Sequence, residues 1–239
     1  MAAALADAAI VGRYEAPPSG DWTTPVSGVS IASFRVGSIP VRIELPFFLI
    51  AVLLGINARR DVLLLGWVAV VFVSILVHEL GHAFVGRAFG EQVSIVLHAT
   101  GGLTFRGGKY TGAGEDIAVS LAGSLTQIVV LGVPALWLLR SDAIDSYTWY
   151  VIVHDLAWVS LGWAIINLLP ILPLDGGNIA LTILRRVKGF EAKRIARLIS
   201  VGAALGLAIW SYHRLGLFVS LFALFFAVSN AAALTRNEV

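Results

Sequence analysis

The stretch Val62-Leu63-Leu64-Leu65-Gly66-Trp67-Val68-Ala69-Val70-Val71-Phe72-Val73-Ser74-Ile75-Leu76-Val77-His78-Glu79-Leu80-Gly81-His82 decides how the chain is read. It carries no charge before His78, and continued to Arg87 it is long enough to cross about 30 Å of hydrocarbon as a helix. On a helix, residues four apart share one face, so His78 and His82 can direct nitrogens at one cation while Glu79 stands beside them. Neutral imidazoles suit Zn²⁺, which lowers the pKa of water to about 7, and the adjacent carboxylate can take the proton that water then releases. The spacing predicts a metal-dependent peptidase site at membrane depth. The plainer reading is a pair of packed helix histidines, but ionisable groups in a membrane are costly and rarely kept without a role.

Composition agrees with this setting. Of 239 residues, 58% are hydrophobic and 13% charged, and the mean hydropathy is +0.85. That is far more apolar surface than a soluble domain needs, so a polytopic, all-α membrane protein is expected. The chain has no cysteine, which excludes disulfides and thiolate metal sites and leaves His, Asp and Glu as ligands. A net charge of +2, with most basic residues in loops, gives no nucleic-acid signal.

Residues 1–33 mix Ala, Pro, Gly and Ser without a basic segment leading into an apolar core, so they read as a cytoplasmic extension and not a signal peptide. A short helix over Ala2 to Val11 is conceivable within it. From residue 34 to 239 runs the membrane core. Phe34 to Ile43 alternates around Gly37-Ser38-Ile39-Pro40 and predicts a strand pair at the membrane surface. Six apolar segments follow, near Leu45–Ile56, Val62–Arg87, Ile117–Leu139, Thr148–Leu169, Ile195–Tyr212 and Leu215–Leu234. All but the first are long enough to cross as helices; the first is short, and the alternative count is five. If all six cross, 13 of the 17 Lys and Arg fall on the side that holds both termini, and the positive-inside rule makes that side cytoplasmic.

A zinc site needs a third protein ligand. Asn167-Leu168-Leu169-Pro170-Ile171-Leu172-Pro173-Leu174-Asp175-Gly176-Gly177 offers one, because Pro170 and Pro173 must break the fourth helix. A broken helix at membrane depth is tolerated where it is buried in protein or lines a wet cavity, as an active site would be. For Asp175 two readings stand open: a metal ligand, or the N-cap of a helix running through Asn178 to Val187.

Together, His78-Glu79-Leu80-Gly81-His82 and the Asn167–Gly177 stretch, in this order on a six-helix background, resemble the site-2 protease family of intramembrane zinc metalloproteases. The likeness covers Phe34 to the C-terminus. It implies a fold in which the two motifs meet, one Zn²⁺ per chain held by His78, His82 and Asp175, Glu79 as general base, and Asn167 positioning substrate or stabilising the oxyanion. It further implies a membrane-spanning protein as substrate, cut near the cytoplasmic face of the cell membrane. Where many relatives read Ala-Gly-Pro-Leu, this chain reads Ala122-Gly123-Ser124-Leu125, whose small residues still permit close helix packing. It has no room for the PDZ or nucleotide-sensing modules of some relatives, so it reads as a minimal core.

Between the two motifs, Val93–Leu97 and Gly102–Arg106 predict a second strand pair flanking His98-Ala99-Thr100-Gly101. A helical peptide bond is shielded by its own turn, so a substrate must unwind before attack, and adding it as a strand to an exposed edge would achieve this. Gly101, Gly102 and Leu103 are the expected substrate-binding edge; a structural hairpin without substrate contact is the alternative. His154 and Asp155 lie about 20 Å of helix from Asn167, too far to bind the same metal, and are expected in packing or at the extracytoplasmic interface, with His98 as a surface residue and His213 as an interfacial one. A metal transporter would need ligands recurring along a path, and a catalytically silent membrane-protein-binding relative would have no need of His78, Glu79, His82 and Asp175 together.

Overall fold

The computed structural model describes residues 29–56, 61–108 and 112–236. The first 28 residues, including Ala2 to Val11, lie outside that range. Two strands come first, β1 Ser30–Val36 and β2 Ile39–Glu44. They are joined at Gly37, whose φ of 59° suits a residue without Cβ. The short helix α1 Leu45–Gly55 leads to the long α2 Val62–Ala88. Strands β3 Glu91–His98 and β4 Gly101–Gly108 follow. Then come α3 Ala113–Arg140, α4 Tyr147–Asn167, α5 Asp175–Lys188, α6 Ala192–Arg214 and α7 Leu217–Thr235.

Among the described residues, five spans are long and apolar enough to cross a membrane: Val62–Ala88, Ala113–Arg140, Tyr147–Asn167, Asp175–Arg214 and Leu217–Thr235. The fold is that of a polytopic membrane protein with a small sheet. Helix α1, at 11 residues, rises about 16 Å and cannot cross alone. The alternative count of five is therefore the one the helix lengths favour.

The chain divides into two compact units, Met1–Thr111 with Ala122–Ile165, and Gly112–Leu121 with Ile166–Val239. In the first, the two expected strand pairs form one four-stranded sheet, ordered β1-β2-β3-β4. The outer pairs are antiparallel, while β2 and β3 run parallel with Val41 beside Ile95 and Ile43 beside Leu97. Parallel neighbours need a crossover, and the α1–α2 hairpin supplies it. Trp67 Nε1 donates to the Ala51 carbonyl at 3.0 Å, tying α1 to the first turns of α2. The sheet covers the later turns: Val41, Ile43, Val93, Ile95 and Leu97 pack with Ile75, Leu76, Leu80 and Ala83. The short helix and the sheet thus divide one flank of α2 between them.

In the second unit, α6 and α7 pack together through Ala204, Phe226 and Ala227, with Ile166, Ile171 and Leu174 of the break in the same core. Asn167 ends α4, and the chain resumes helix at Asp175.

Candidate metal centre

Helix α2 presents Ser74, His78 and His82 as a buried stripe, four residues apart each time. The two imidazole Nε2 atoms lie 3.0 Å apart, with ring planes at 82°. That separation is the length of an N–H···N hydrogen bond between neutral imidazoles, and it also sets the two nitrogens beside one point, as sharing a cation would require. Both rings are buried.

Helix α3 shapes this half of the site. A Cβ on Gly123 would overlap the His82 imidazole, and one on Gly81 would lie 2.6 Å from the Ala122 carbonyl. The Ala122-Gly123-Ser124 stretch, where the sequence departs from the family pattern, therefore fulfils the close packing expected of small residues. One turn on, Gln127 Oε1 stands 3.1 Å from His78 Nδ1. Ser74 Oγ and Ser160 Oγ, on α2 and α4, are 3.2 Å apart.

Glu79 faces the sheet. Thr104 Oγ1 donates to Glu79 Oε2 at 2.6 Å and lies 3.2 Å from the Glu79 carbonyl oxygen. Gly102, two residues earlier on the same face of β4, leaves no room for a Cβ against the Glu79 side chain. Strand β4 therefore seats the carboxylate, and it ends the sheet, with β3 as its neighbour among the described residues. Gly101, at φ 129°, opens β4 after the Ala99-Thr100 turn, and Leu103 alternates to the opposite face from Gly102. A buried ion pair fixes the strand's far end: Arg106 Nε and Nη2 donate to the two Glu91 oxygens at 2.7 and 2.8 Å. Gly86 gives that pair room at the end of α2.

Of the remaining histidines, His98 is half-buried and not simply on the surface. Burial holds its imidazole below the ordinary range, against the opposing pull of the Glu44 and Glu79 carboxylates. His154 is exposed and stacks on Tyr150, with Nδ1 3.9 Å from buried Asp155; His213 is exposed at the end of α6. The histidines that converge on one another are therefore His78 and His82.

Asn167 and Asp175 belong to the second unit and bracket its break. The helix cap is Leu174, so Asp175 is the first helical residue and not the N-cap. A carboxylate in a first helical turn is favoured by the helix dipole. The irregular backbone between is held by side chains. The Leu172 N–H donates to Ser200 Oγ on α6 at 2.9 Å, and Asn230 Nδ2 on α7 donates to the Leu172 carbonyl at 2.7 Å. Asn178 Nδ2 reaches the Pro173 carbonyl at 3.1 Å. A Cβ on Gly176 would strike the Leu168 carbonyl, and one on Gly177 would come within 2.5 Å of Leu172 N. The two glycines let the break fold back onto the start of α5.

The structure thus brings His78, His82, Glu79 and Gly102 together in the first unit, and sets Asn167 and Asp175 at either end of one segment in the second. Sequence reasoning missed Gln127, Thr104, Ser200 and Asn230. Gln127, Ser200 and Asn230 are polar residues in largely apolar helical runs and Thr104 lies in a mixed strand, signals that mark interest without naming a partner.

Comparison with known proteins follows these lines. Residues 124–209 match the family model described as Peptidase family M50. A zinc metalloprotease of Methanocaldococcus jannaschii is 28% identical over 82% of this chain and 58% of its own length. A Synechocystis protein named provisionally as a zinc metalloprotease is 29% identical over 86% of this chain and 60% of its own. The chain thus spans about three fifths of the length of these curated relatives. Among solved structures, the site-2 protease from Methanocaldococcus jannaschii superposes with a TM-score of 0.62 at 24% identity, covering 86% of this chain and 95% of that one.

Proposed function

From this kinship with the site-2 proteases, we propose that the chain is an intramembrane zinc metalloprotease that hydrolyses peptide bonds of membrane-spanning proteins near the cytoplasmic face. The observation that carries the reading is the convergence of His78 and His82 Nε2 at 3.0 Å beside Glu79 on one buried helix face. Donor chemistry agrees, since two imidazoles and a carboxylate, with an open fourth position, are a catalytic zinc set. His78, His82 and Asp175 would hold the ion, one per chain.

Bound there, zinc supplies Lewis acidity toward the attacking water and the scissile carbonyl. Glu79 takes the water proton on the carboxylate that Thr104 orients, then delivers it to the leaving amine. Asn167 donates to the developing oxyanion or to the substrate backbone. Strand β4 receives the unwound substrate along its outer edge at Gly101, Gly102 and Leu103, which delivers an extended peptide beside Glu79. The chain lacks cysteine, so this edge can be mapped by crosslinking. A single cysteine at Leu103 should couple to cysteines near the scissile bond of a substrate; equal coupling from Ser33 on β1 would refute the edge.

Strand β2 precedes α1 and β3 follows α2, and their pairing in one sheet supports a topology in which the α1–α2 hairpin begins and ends on the same side. The parity is then that of six crossings although α1 is short, and both termini lie in the cytoplasm, where most basic residues fall. The reading places the protein in the cell membrane, with lipid and a transmembrane substrate as partners. The test is cleavage of a single-span substrate in reconstituted vesicles. Glu79→Gln should keep zinc and lower turnover by about 10²–10⁴-fold. Undiminished cleavage would remove Glu79 as the base.

A further inference from the structure

Helix α3 does not run regularly past the site. It is α-helical over Ala113–Gln127, takes a π-helical turn over Ile128–Gly132, and resumes as α-helix over Val133–Arg140. Helix α4 contains a second π-turn, Val159–Trp163, and a Cβ on Gly132 of the first would lie 2.5 Å from Leu161 of the second. Such turns each insert one residue and so reset which side chains a helix presents beyond them. Here they adjoin the residues that grip the ligand stripe of α2. Gln127 immediately precedes one and meets His78; Ser160 sits in the other and meets Ser74. Gly123, one turn before Gln127, makes room for His82.

Gln127 is fully buried in an apolar stretch. Its Oε1 faces His78 Nδ1, while its Nε2 finds no hydrogen-bond partner among the described residues. A buried amide with an idle N–H₂ is a poor choice for packing alone, since an aliphatic side chain would fill the space without stranding donors. Its acceptor end explains it. An imidazole binds a cation through an unprotonated nitrogen, so His78 can offer Nε2 only as the tautomer protonated at Nδ1. An amide oxygen accepts and cannot donate, and it therefore selects that tautomer and fixes the plane of the ring.

We propose that Gln127 is a positioning residue for the metal, acting through His78. It accepts a hydrogen bond from His78 Nδ1–H, holds the Nε2 lone pair toward His82 Nε2, and prepares the ligand pair before the ion arrives. This rests on the metalloprotease reading and adds to it the residue that orients the first ligand.

The experiment uses the full chain purified in detergent and stripped of metal. Zinc affinity is measured by chelator competition, the absorption bands of the Co²⁺-loaded protein are recorded, and the thermal midpoint of the metal-free form is taken. Gln127→Leu should weaken zinc binding by about 10–100-fold and shift the cobalt bands. Its metal-free midpoint should change little, because the idle Nε2 donor and the acceptor for His78 Nδ1–H are lost together. Gln127→Glu, which keeps an acceptor at the same reach, should restore affinity to within a few-fold of wild type. Wild-type affinity and an unshifted cobalt spectrum in Gln127→Leu would overturn the inference. So would parallel losses of affinity and metal-free stability that Gln127→Glu fails to rescue, since these would mark a packing role. A wild-type chain that binds no zinc fails at an earlier step and overturns the metalloprotease reading itself.

Discussion

The ligand stripe of α2 and the break between α4 and α5 are built by opposite means. On α2 the geometry is intrinsic: a regular helix places Ser74, His78 and His82 one above another, and neighbours need only leave space or orient rings. In the break nothing is periodic. Residues 168–174 form only isolated backbone turns, with the Leu169 N–H on the Ile166 carbonyl and the Leu174 N–H on the Ile171 carbonyl, and their shape depends further on Ser200, Asn230, Asn178 and two glycines. A helix tolerates loss of a support; a propped loop does not. The two histidines should therefore keep their relation under substitutions that would displace Asp175.

The largest expected difference comes from Gly176→Ala. The new methyl would strike the Leu168 carbonyl, a backbone atom that cannot swing aside. We expect overpacking of about 1–3 kcal/mol in the thermal midpoint and loss of most bound zinc. Gly202→Ala, where a Cβ meets nothing within 4 Å, is the control and should change neither. Equal behaviour of the two would show that the break is not held by close approach.

Asn230→Leu should follow in size. It removes the donor to the Leu172 carbonyl and strands a buried acceptor, at about 1–3 kcal/mol. Zinc affinity should fall while the mutual orientation of the histidines persists, which nitrogen chemical shifts of His78 and His82 can check. Altered histidine shifts in the metal-free form would contradict the separation drawn here.

Thr104→Val tests the first region alone. It deletes the 2.6 Å hydrogen bond to Glu79, and turnover should fall by about tenfold if the bond is worth roughly 1.5 kcal/mol, with zinc content unchanged. A loss of zinc would mean that the sheet supports the ligands as well as the base.

The smallest effect concerns pH. The pKa of His98 is lowered by burial, so the unfolded chain takes up this proton before the folded one does. Stability should decline as pH falls below the ordinary histidine value of about 6.5 and level off once it passes the lowered folded value. His98→Asn should flatten that part of the melting profile, and an unchanged profile would assign the acid sensitivity elsewhere.

The same contrast explains how much could be read in advance. His78 and His82 follow from spacing within one element, and the break follows from Pro170 and Pro173, whose effect on a helix is local. Both strand pairs were legible from alternation, as were their turns at Gly37 and Gly101. Their union through β2 and β3 was not, because a parallel contact across the α1–α2 hairpin leaves no local trace. Gln127 and Thr104 matter only through partners 49 and 25 residues away. The π-turns leave no mark in the apolar runs Ile128–Gly132 and Val159–Trp163 that harbour them. The capping role open to Asp175 was excluded only by the position of the helix start, one residue before which Leu174 serves as cap.

In the proposed centre, His78 and His82 of α2 and Asp175 at the end of the break would hold one ion. Zinc per chain, measured on detergent-purified wild type, His82→Ala and Asp175→Ala, tests it without a substrate. The wild type should hold about one zinc and each variant far less. A wild type with about one zinc and an Asp175→Ala chain that retains it at full occupancy would contradict the claim, because the two regions would then not share the ion.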